Sequence, residues 1–380
     1  MPIRPSHWET TTFFRPADLL IIGAGLTGLH AARLAKQQAP HLDILVVERA
    51  PIPRGASTRN AGFACFGAPT ELLADAQAYG WEQVAETVRQ RYAGIQLLEQ
   101  EYGKRGIHWH AHGGYELLDD EATEAYVREQ LPTLNKVLAD STGRAATWSF
   151  TDPKHGLRGT LLYNPLEAQL HPGRLVEQLL ADCRDLGVRF LFGWPVNHLK
   201  TISANTVQAR GADGINLTAR RALVTVNAFA RDLLPAEFSE AIRPVRNQVL
   251  LSRPLPGLDL RGCYHYHEGY VYFRNVGPDR LLIGGGRHRA GAASETDVFG
   301  SNAVPETYLL EKLRQWFPER SWTEADFPTR WSGILAQGAG GKGPVLRYAD
   351  DNVLVAGRLA GMGVALSASL ARRAVGRLLC

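Results

Sequence analysis

Three glycines and one acid have the spacing of a phosphate-binding turn. Gly23, Gly25 and Gly28 match GxGxxG, and Glu48 follows 20 residues after Gly28. Gly23 permits a tight turn, Gly25 lets backbone approach a pyrophosphate, and Gly28 lets a helix pack close to a strand. The N-terminus of such a helix offers unpaired N–H groups and a partial positive charge to phosphate oxygens. A carboxylate at Glu48 accepts hydrogen bonds from a ribose diol and repels a 2′-phosphate. The flanking pattern supplies the scaffold. Asp18 to Ile22 is a short apolar run suited to a buried parallel strand, and Leu29, Ala32 and Ala35 recur at helical spacing. A second apolar run, Ile44 to Val47, leads into Glu48. Strand, glycines, helix, strand and acid in register predict a dinucleotide-binding unit. A glycine-rich turn in an ordinary βαβ unit would leave the spaced glycines and the acid unexplained.

Other stretches carry chemistry-bearing residues. Gly55 to Gly67 is small and glycine-rich and holds Ser57, Arg59, Asn60 and Gly62. Such backbone can wrap a flat or phosphorylated group, with Arg59 and Ser57 available to a phosphate, although a plain surface loop has the same composition. His108, His110 and His112 alternate with apolar residues, which predicts a strand carrying the three histidines on one face. H-x-H can bind metal, but no carboxylate stands nearby, so a solvated face is the reading and no metal is expected. Tyr264 to Arg274 is strand-like and dense in aromatics. There Tyr270, Tyr272 and Arg274 are candidate pocket residues, as are Arg287 and His288 after Gly284–Gly286. Aromatic strand residues are, however, more often core than pocket. Gly284 and Gly286 do not begin a second dinucleotide motif, because Arg289 occupies the third glycine position. Near the end, Gly357 closes a strand and Gly361-Met362-Gly363 opens an apolar helix, whose N-terminus would stabilise negative charge on a bound ring.

The elements that must position these residues alternate along the chain. Glu71 to Glu101 reads as two helices broken near Gly80, and 121–140 as another. His171-Pro172-Gly173 opens an amphipathic helix closed by Gly187; Val188 to Phe192, a strand beginning near Val196, and Ala222 to Val226 then resume a nucleotide-binding sheet. The chain has 380 residues, enough for two sizeable cores, with 45% hydrophobic and 21% charged residues and a net charge of +4. No long run of like charge marks a nucleic-acid partner, and no stretch is apolar enough to span a bilayer. Cys65, Cys183, Cys263 and Cys380 show neither C-x-x-C nor zinc spacing, which points to a reducing compartment and a cytoplasmic protein. Residues 1–16 form an arm whose Trp8, Phe13 and Phe14 are expected to pack on the first domain.

In order, the Gly23–Glu48 unit, the run from Gly55 to Gly62, His171-Pro172-Gly173, Val196 and Gly357 with Gly361-Met362-Gly363 resemble the D-amino-acid oxidase-type FAD-dependent oxidoreductases. That family includes glycine, sarcosine and γ-glutamylputrescine oxidase-like enzymes. The resemblance runs from about residue 17 to the end. It implies an α/β fold in which a glutathione-reductase-type Rossmann FAD domain (17–80, 164–236 and 325–380) is interleaved with an antiparallel-sheet α+β substrate domain (81–163 and 237–324). It further implies that Gly23, Gly25 and Gly28 take the FAD pyrophosphate and that Glu48, with Arg49 beside it, takes the adenosine ribose. Ser57, Arg59, Asn60 and Gly62 line the ribityl and isoalloxazine side, backbone at Val196 reads the adenine, and Asn227, Gly357, Gly361, Met362 and Gly363 serve the flavin end.

The chain also departs from that family. Leu335 stands where glycine-oxidase-like members have a carboxylate-gripping Arg, and Ala365 where sarcosine-oxidase-like members have a Lys. Asn227-Ala228-Phe229 follows the third strand where a glycine is usual. Missing carboxylate anchors favour an amine or a larger amine-bearing molecule over a simple α-amino acid. The activity implied is hydride removal from a carbon next to nitrogen, giving an imine that water hydrolyses, with O2 or a quinone or carrier as electron acceptor. Arg287 is the candidate fixed positive charge. Cys65 is read as a buried structural thiol rather than a covalent flavin link. An NAD-dependent dehydrogenase is disfavoured by the Ser57–Gly62 loop and by the lack of a helix-rich catalytic domain. A flavoprotein acting within a complex on a tethered or macromolecular substrate is the other alternative.

Overall fold

The apolar run at the start forms the strand Ala17–Ile22, and it lies between two parallel neighbours, Asn216–Val224 and Ile44–Glu48. The structure, a computed structural model, describes residues 4–152, 154, 156–230, 233–339 and 341–379; Cys380 lies outside the described residues. The chain divides into two units, one of Met1–Thr58, Pro172–Pro244 and Leu335–Cys380, the other of Arg59–His171 and Val245–Ile334.

In the first unit the sheet runs Val345–Asp350, Val353–Gly357, Asn216–Val224, Ala17–Ile22, Ile44–Glu48, Arg189–Phe192. All of these pairings are parallel except the one made by Val345–Asp350. Ile44–Glu48 is buried along its whole length, which is why it reads as an unbroken apolar run. Helix Leu26–Gln38 packs against helices Pro172–Asp185 and Gly363–Leu379. Its small residues Ala31, Ala32 and Ala35 are fully buried and allow that close packing. Val196–Ser203 and Thr206–Gly211 extend the sheet as antiparallel strands beyond Asn216–Val224, a strand that begins earlier than its apolar core suggests.

The arm departs from expectation. Ser6 and Glu9 form a capping box for the helix His7–Thr12, which has no buried residue, and Trp8 and Phe13 are 75% and 56% exposed. Polar contacts hold the arm instead. Asp43 accepts from Arg15 Nε at 3.0 Å and Arg189 Nε at 2.7 Å, and Arg189 also donates to the Phe13 carbonyl.

The second unit is built on an eight-stranded sheet in the order Thr329–Gln337, Arg243–Leu251, Arg280–Gly285, Val271–Val276, Cys263–Tyr266, Gly114–Leu118, Thr160–Asn164, Ser149–Thr151. Cys263–Tyr266 and Gly114–Leu118 pair in parallel, whereas the hairpin-linked strands pair antiparallel. Strand alternation gives the sheet two unlike faces. On one, Leu117, Tyr264, Phe273 and Ile283 join Leu309, Leu313 and Trp316 of helix Ala303–Trp316 in a buried apolar cluster. The other face carries Glu116, His265, Tyr272 and Gly284, which are opposite one another in register.

Two strand expectations are corrected here. Of residues 106–118 only Gly114–Leu118 is a strand, because Gly106, His108 and Gly113 all have left-handed φ (72°, 53° and 82°) and interrupt the pleat. Tyr264–Arg274 is not one strand but a hairpin, turned at His267, Glu268 and Gly269 with φ of 52°, 55° and 73°. The Gly80 break between helices Pro69–Tyr79 and Trp81–Tyr102 is present. Residues 59–80 and 164–171 group with the second unit, where Phe63–Ala64 pairs with Ala168–Gln169 and helix Pro69–Tyr79 packs on Trp81–Tyr102.

Candidate active site

The glycine loop of the first unit is built so that side chains cannot fit. Gly23 has φ of +105°, and a Cβ there would lie 3.2 Å from Thr225. A Cβ on Gly28 would lie 2.1 Å from the Gly23 carbonyl oxygen and 2.7 Å from Thr225 Oγ1. One on Gly25 would lie 2.9 Å from Ser57 Oγ. Gly25 is the N-cap of helix Leu26–Gln38, with no side chain capping it; Ser57 Oγ instead accepts from the Leu26 N–H at 2.9 Å. The turn is pinned from the far strand by Thr225, whose hydroxyl reaches the Ile22 carbonyl at 3.0 Å and that of Gly23 at 2.9 Å. Sequence reasoning missed Thr225, and its only signal was a hydroxyl inside the apolar run Ala222 to Val226, which in the structure leaves the strand after Val224.

Glu48 ends the second strand and is 9% exposed. Its carboxylate accepts from the Ala24 N–H at 3.1 Å and the Ala50 N–H at 3.2 Å. Burial pushes its pKa up, partly offset by these backbone donors and by Arg49. The Arg49 guanidinium lies 3.7 Å from the centre of the Phe229 ring. The cradle fits a dinucleotide: backbone bare of Cβ atoms, a helix N-terminus, and a buried carboxylate one strand away.

A second group gathers at the end of strand Val353–Gly357. Asn227 has φ of 50°, and its Oδ1 accepts from the Leu359 N–H at 3.4 Å. Gly357 faces the Asn227 backbone, where a Cβ would lie 3.5 Å from Cα. Arg358, a further residue the sequence reading missed, is buried and donates to the carbonyls of Gly343 at 2.8 Å and Ala339 at 2.6 Å, fixing the turn. Gly361 has φ of +86°, the Met362 N–H returns to the Leu359 carbonyl, and Gly363 starts the last helix. Val196 begins its strand opposite Gly211.

In the second unit the Arg59 guanidinium donates to the Ser332 carbonyl at 2.9 Å and lies 4.5 Å from the centre of the Phe299 ring. The Trp331 indole N–H donates to the Arg59 carbonyl. Asn60 Oδ1 accepts from the Gly62 N–H at 2.8 Å, closing a turn on itself. The polar sheet face then separates the candidates. Tyr272 lies over Gly284, whose Cβ would meet the phenol ring at 2.5 Å, and it stacks edge-on with Phe63. Its hydroxyl, with a pKa pushed up to about 12 by burial, meets Asn247 Nδ2 at 3.4 Å.

Arg287 lies 4.5 Å over the Tyr270 ring and is half-buried; burial lowers its pKa, and Tyr270, Tyr272 and Glu71 counter this. Arg274 is buried, donates to the Leu170 carbonyl at 3.0 Å, and leaves its Nε without a partner. His288 also touches Tyr270, but its ring stacks with His267 at 5.1 Å and meets Tyr308 edge-on. Burial and the charges of His267, Arg287 and Arg289 hold its pKa down to about 4, so it is neutral at pH 7. Arg287 and His288 thus both lie against Tyr270, His288 reaching Tyr308 as well, and Arg274 sits against the segment before His171.

The same face holds buried acids that the sequence reading missed. Glu116 accepts from Thr70 N and Thr70 Oγ1, and burial raises its pKa to about 7. Glu71 pairs with the fully buried Arg91 at 3.2 Å. Glu167 meets His265 Nε2 at 2.8 Å. Only Glu116 had a signal, an acid between Tyr115 and Leu117 in an alternating strand. His110 and His112 stack on one another at 5.4 Å, whereas His108 turns to His171.

Fold and site together define an oxidoreductase of the dinucleotide-binding class. The profile of the FAD dependent oxidoreductase (DAO) family matches residues 18–377, and the chain belongs to that family. It is an FAD-dependent enzyme with the mixed α/β fold of the family. Solved structures with the same fold include iminodiacetate oxidase from Chelativorans sp. BNC1 (18% identity, TM-score 0.75, 95% of each chain covered). Glycine oxidase from Geobacillus kaustophilus is similar (19%, TM-score 0.73, 95% of each chain). So is L-α-glycerophosphate oxidase from Mycoplasma pneumoniae with FAD bound (16%, TM-score 0.74, 96% of this chain and 95% of that one). No curated protein sequence matches the chain. Among the described residues no helix is long and apolar enough to cross a membrane.

Proposed function

We propose that the protein oxidises the C–N bond of an amine or amino acid, with a hydride leaving the carbon next to nitrogen and water hydrolysing the imine. FAD, when bound, supplies the hydride acceptor. Gly23, Gly25, Gly28 and Ser57 would hold its pyrophosphate, and Glu48 its ribose, where the carboxylate keeps lone pairs beyond those used by Ala24 and Ala50. The observation that carries the substrate reading is the Arg287 guanidinium, 4.5 Å over the ring of Tyr270, which just precedes the strand that places Tyr272 on the polar sheet face. Two of the similar structures bear the names of C–N oxidising enzymes, iminodiacetate oxidase and glycine oxidase. By the resemblance to the family, Leu335 and Ala365 stand in for its Arg and Lys carboxylate anchors, which favours an amine or a larger amine-bearing molecule. Arg287 then binds an anionic group remote from the reacting nitrogen. A neutral amine needs no obligatory base, so the chain's task is orientation, charge and exclusion of water. Buried thiols at Cys65, Cys183 and Cys263 support a reducing, cytoplasmic setting.

The test is anaerobic titration of the purified yellow protein with a panel of amines and amino acids, followed by air. Bleaching by an amine carrying a distant acidic group supports the proposal, and recolouring in air assigns O2 as acceptor. Recolouring only with a quinone assigns a carrier. If no member of the panel bleaches the colour, the proposal fails in favour of a tethered or macromolecular substrate.

A further inference from the structure

Three remote segments of the second unit place a thiol, a carboxylate and an imidazole together. The ligand atoms of Cys65, Glu167 and His265 lie within 4.8 Å of one another, and all three residues are buried. We propose that these three side chains bind a divalent metal ion of the zinc class. A tetrahedral zinc with bonds of ~2.3 Å to sulfur and ~2.0–2.2 Å to nitrogen and oxygen separates its ligands by roughly 3.4–3.6 Å. The His265–Glu167 contact at 2.8 Å would open slightly and the thiol would close in, both within the reach of side-chain rotation. Thiolate plus carboxylate supply two negative charges, which match a divalent cation beside a neutral imidazole and leave no net charge buried. Mixed sulfur, nitrogen and oxygen donors suit zinc over magnesium or calcium, which prefer oxygen alone.

The surroundings are arranged to hold these side chains in place. Glu167 Oε2 fills the space a Cβ on Gly114 would occupy, 2.1 Å away, so only glycine admits the carboxylate there. The Phe66 N–H points at Glu167 Oε1 at 3.4 Å, and the edge-on Phe63 ring fixes His265 at 5.4 Å and 87°. Outer contacts of this kind orient metal ligands. An ion here would clamp the segment after Phe63–Ala64 and the segment before Ala168–Gln169 to strand Cys263–Tyr266.

The experiment measures metal, not catalysis, so its outcome is independent of the reading of the reaction. Flavin-loaded protein is stripped with a chelator, exposed to zinc chloride alone, and assayed by mass spectrometry of metals and by thermal unfolding. The expected result is about one zinc per chain, a raised Tm, and zinc affinity at least ~10-fold weaker in Cys65→Ser and in His265→Gln, the scale on which such ligands contribute. His110→Ala with His112→Ala should leave uptake unchanged. The proposal is overturned if stripped wild type takes up no zinc with no shift in Tm, or if Cys65→Ser binds zinc as tightly as wild type.

Discussion

The glycine loop of the first unit and the polar sheet face of the second solve different problems. The loop is shaped by what is missing: bare backbone at Gly23, Gly25 and Gly28 admits packing that a Cβ would prevent. The sheet face instead carries side chains that are costly to bury, including Arg274, Glu116 and His265. The loop is one contiguous stretch. The sheet face is assembled from residues up to 168 positions apart in the chain (116 to 284), Glu116 beside His265 and Tyr272 over Gly284. A cofactor common to a family can be held by a local motif, whereas a substrate is chosen by residues that only the tertiary fold brings together.

Substitutions should separate the two regions. The largest effect is expected at Gly28→Val, where the first added carbon meets a backbone carbonyl that cannot yield. Protein recovered from this variant should be colourless, and a yellow product with normal flavin content would refute the close-packing argument. Next is Trp316→Ala on the apolar side of the sheet, which should cost about 3–5 kcal/mol in denaturant unfolding. Tyr272→Phe on the polar side removes one long hydrogen bond and should cost less than about 1 kcal/mol; equal losses would show that the two faces are not different in kind. Thr225→Val keeps the shape but removes the hydroxyl that pins the loop. It should weaken FAD binding about fivefold, corresponding to roughly 1 kcal/mol, measured by equilibrium loading of apoprotein.

The last effect is confined to acid and vanishes at neutral pH. His30, in the loop's own helix, has its pKa lowered to about 3, chiefly by burial and then by Arg33, with Asp182 opposing. Because the unfolded chain takes up this proton near pH 6.5 and the folded one resists it, the stability involved is present above pH 6.5 and lost as pH falls toward 3. His30→Gln should therefore flatten the acid limb of a Tm–pH profile without changing the profile above pH 7.

The extent to which each region is legible in the sequence follows from the same contrast. Gly23 to Glu48 is legible because its strand, turn, helix and acid are sequential. Thr225 is not, since nothing in a single chain pairs it with residues two hundred positions earlier. On the sheet, alternation reveals that Tyr115 and Leu117 share a face and Glu116 does not, but it cannot say which face is covered by helix Ala303–Trp316. Periodicity also misleads where backbone conformation overrides it. His108 to His112 alternates like a strand, yet left-handed residues at 106, 108 and 113 prevent one. The exposed Trp8 and Phe13 of the arm show that apolar residues need not find a core when a cap and two arginines on Asp43 already fix the segment.

The central claim is that the glycine loop is a holder of the cofactor, as proposed, while Arg287 acts on the substrate and not on the flavin. The most direct test is Arg287→Ala, with flavin content and the anaerobic reduction rate measured by rapid mixing with the amine that bleaches wild type. Flavin per chain should stay at the wild-type value while reduction slows at least ~10-fold, the loss of one charge-assisted contact of about 1.5–3 kcal/mol. Reduction at the wild-type rate, or loss of the flavin itself, would contradict the account.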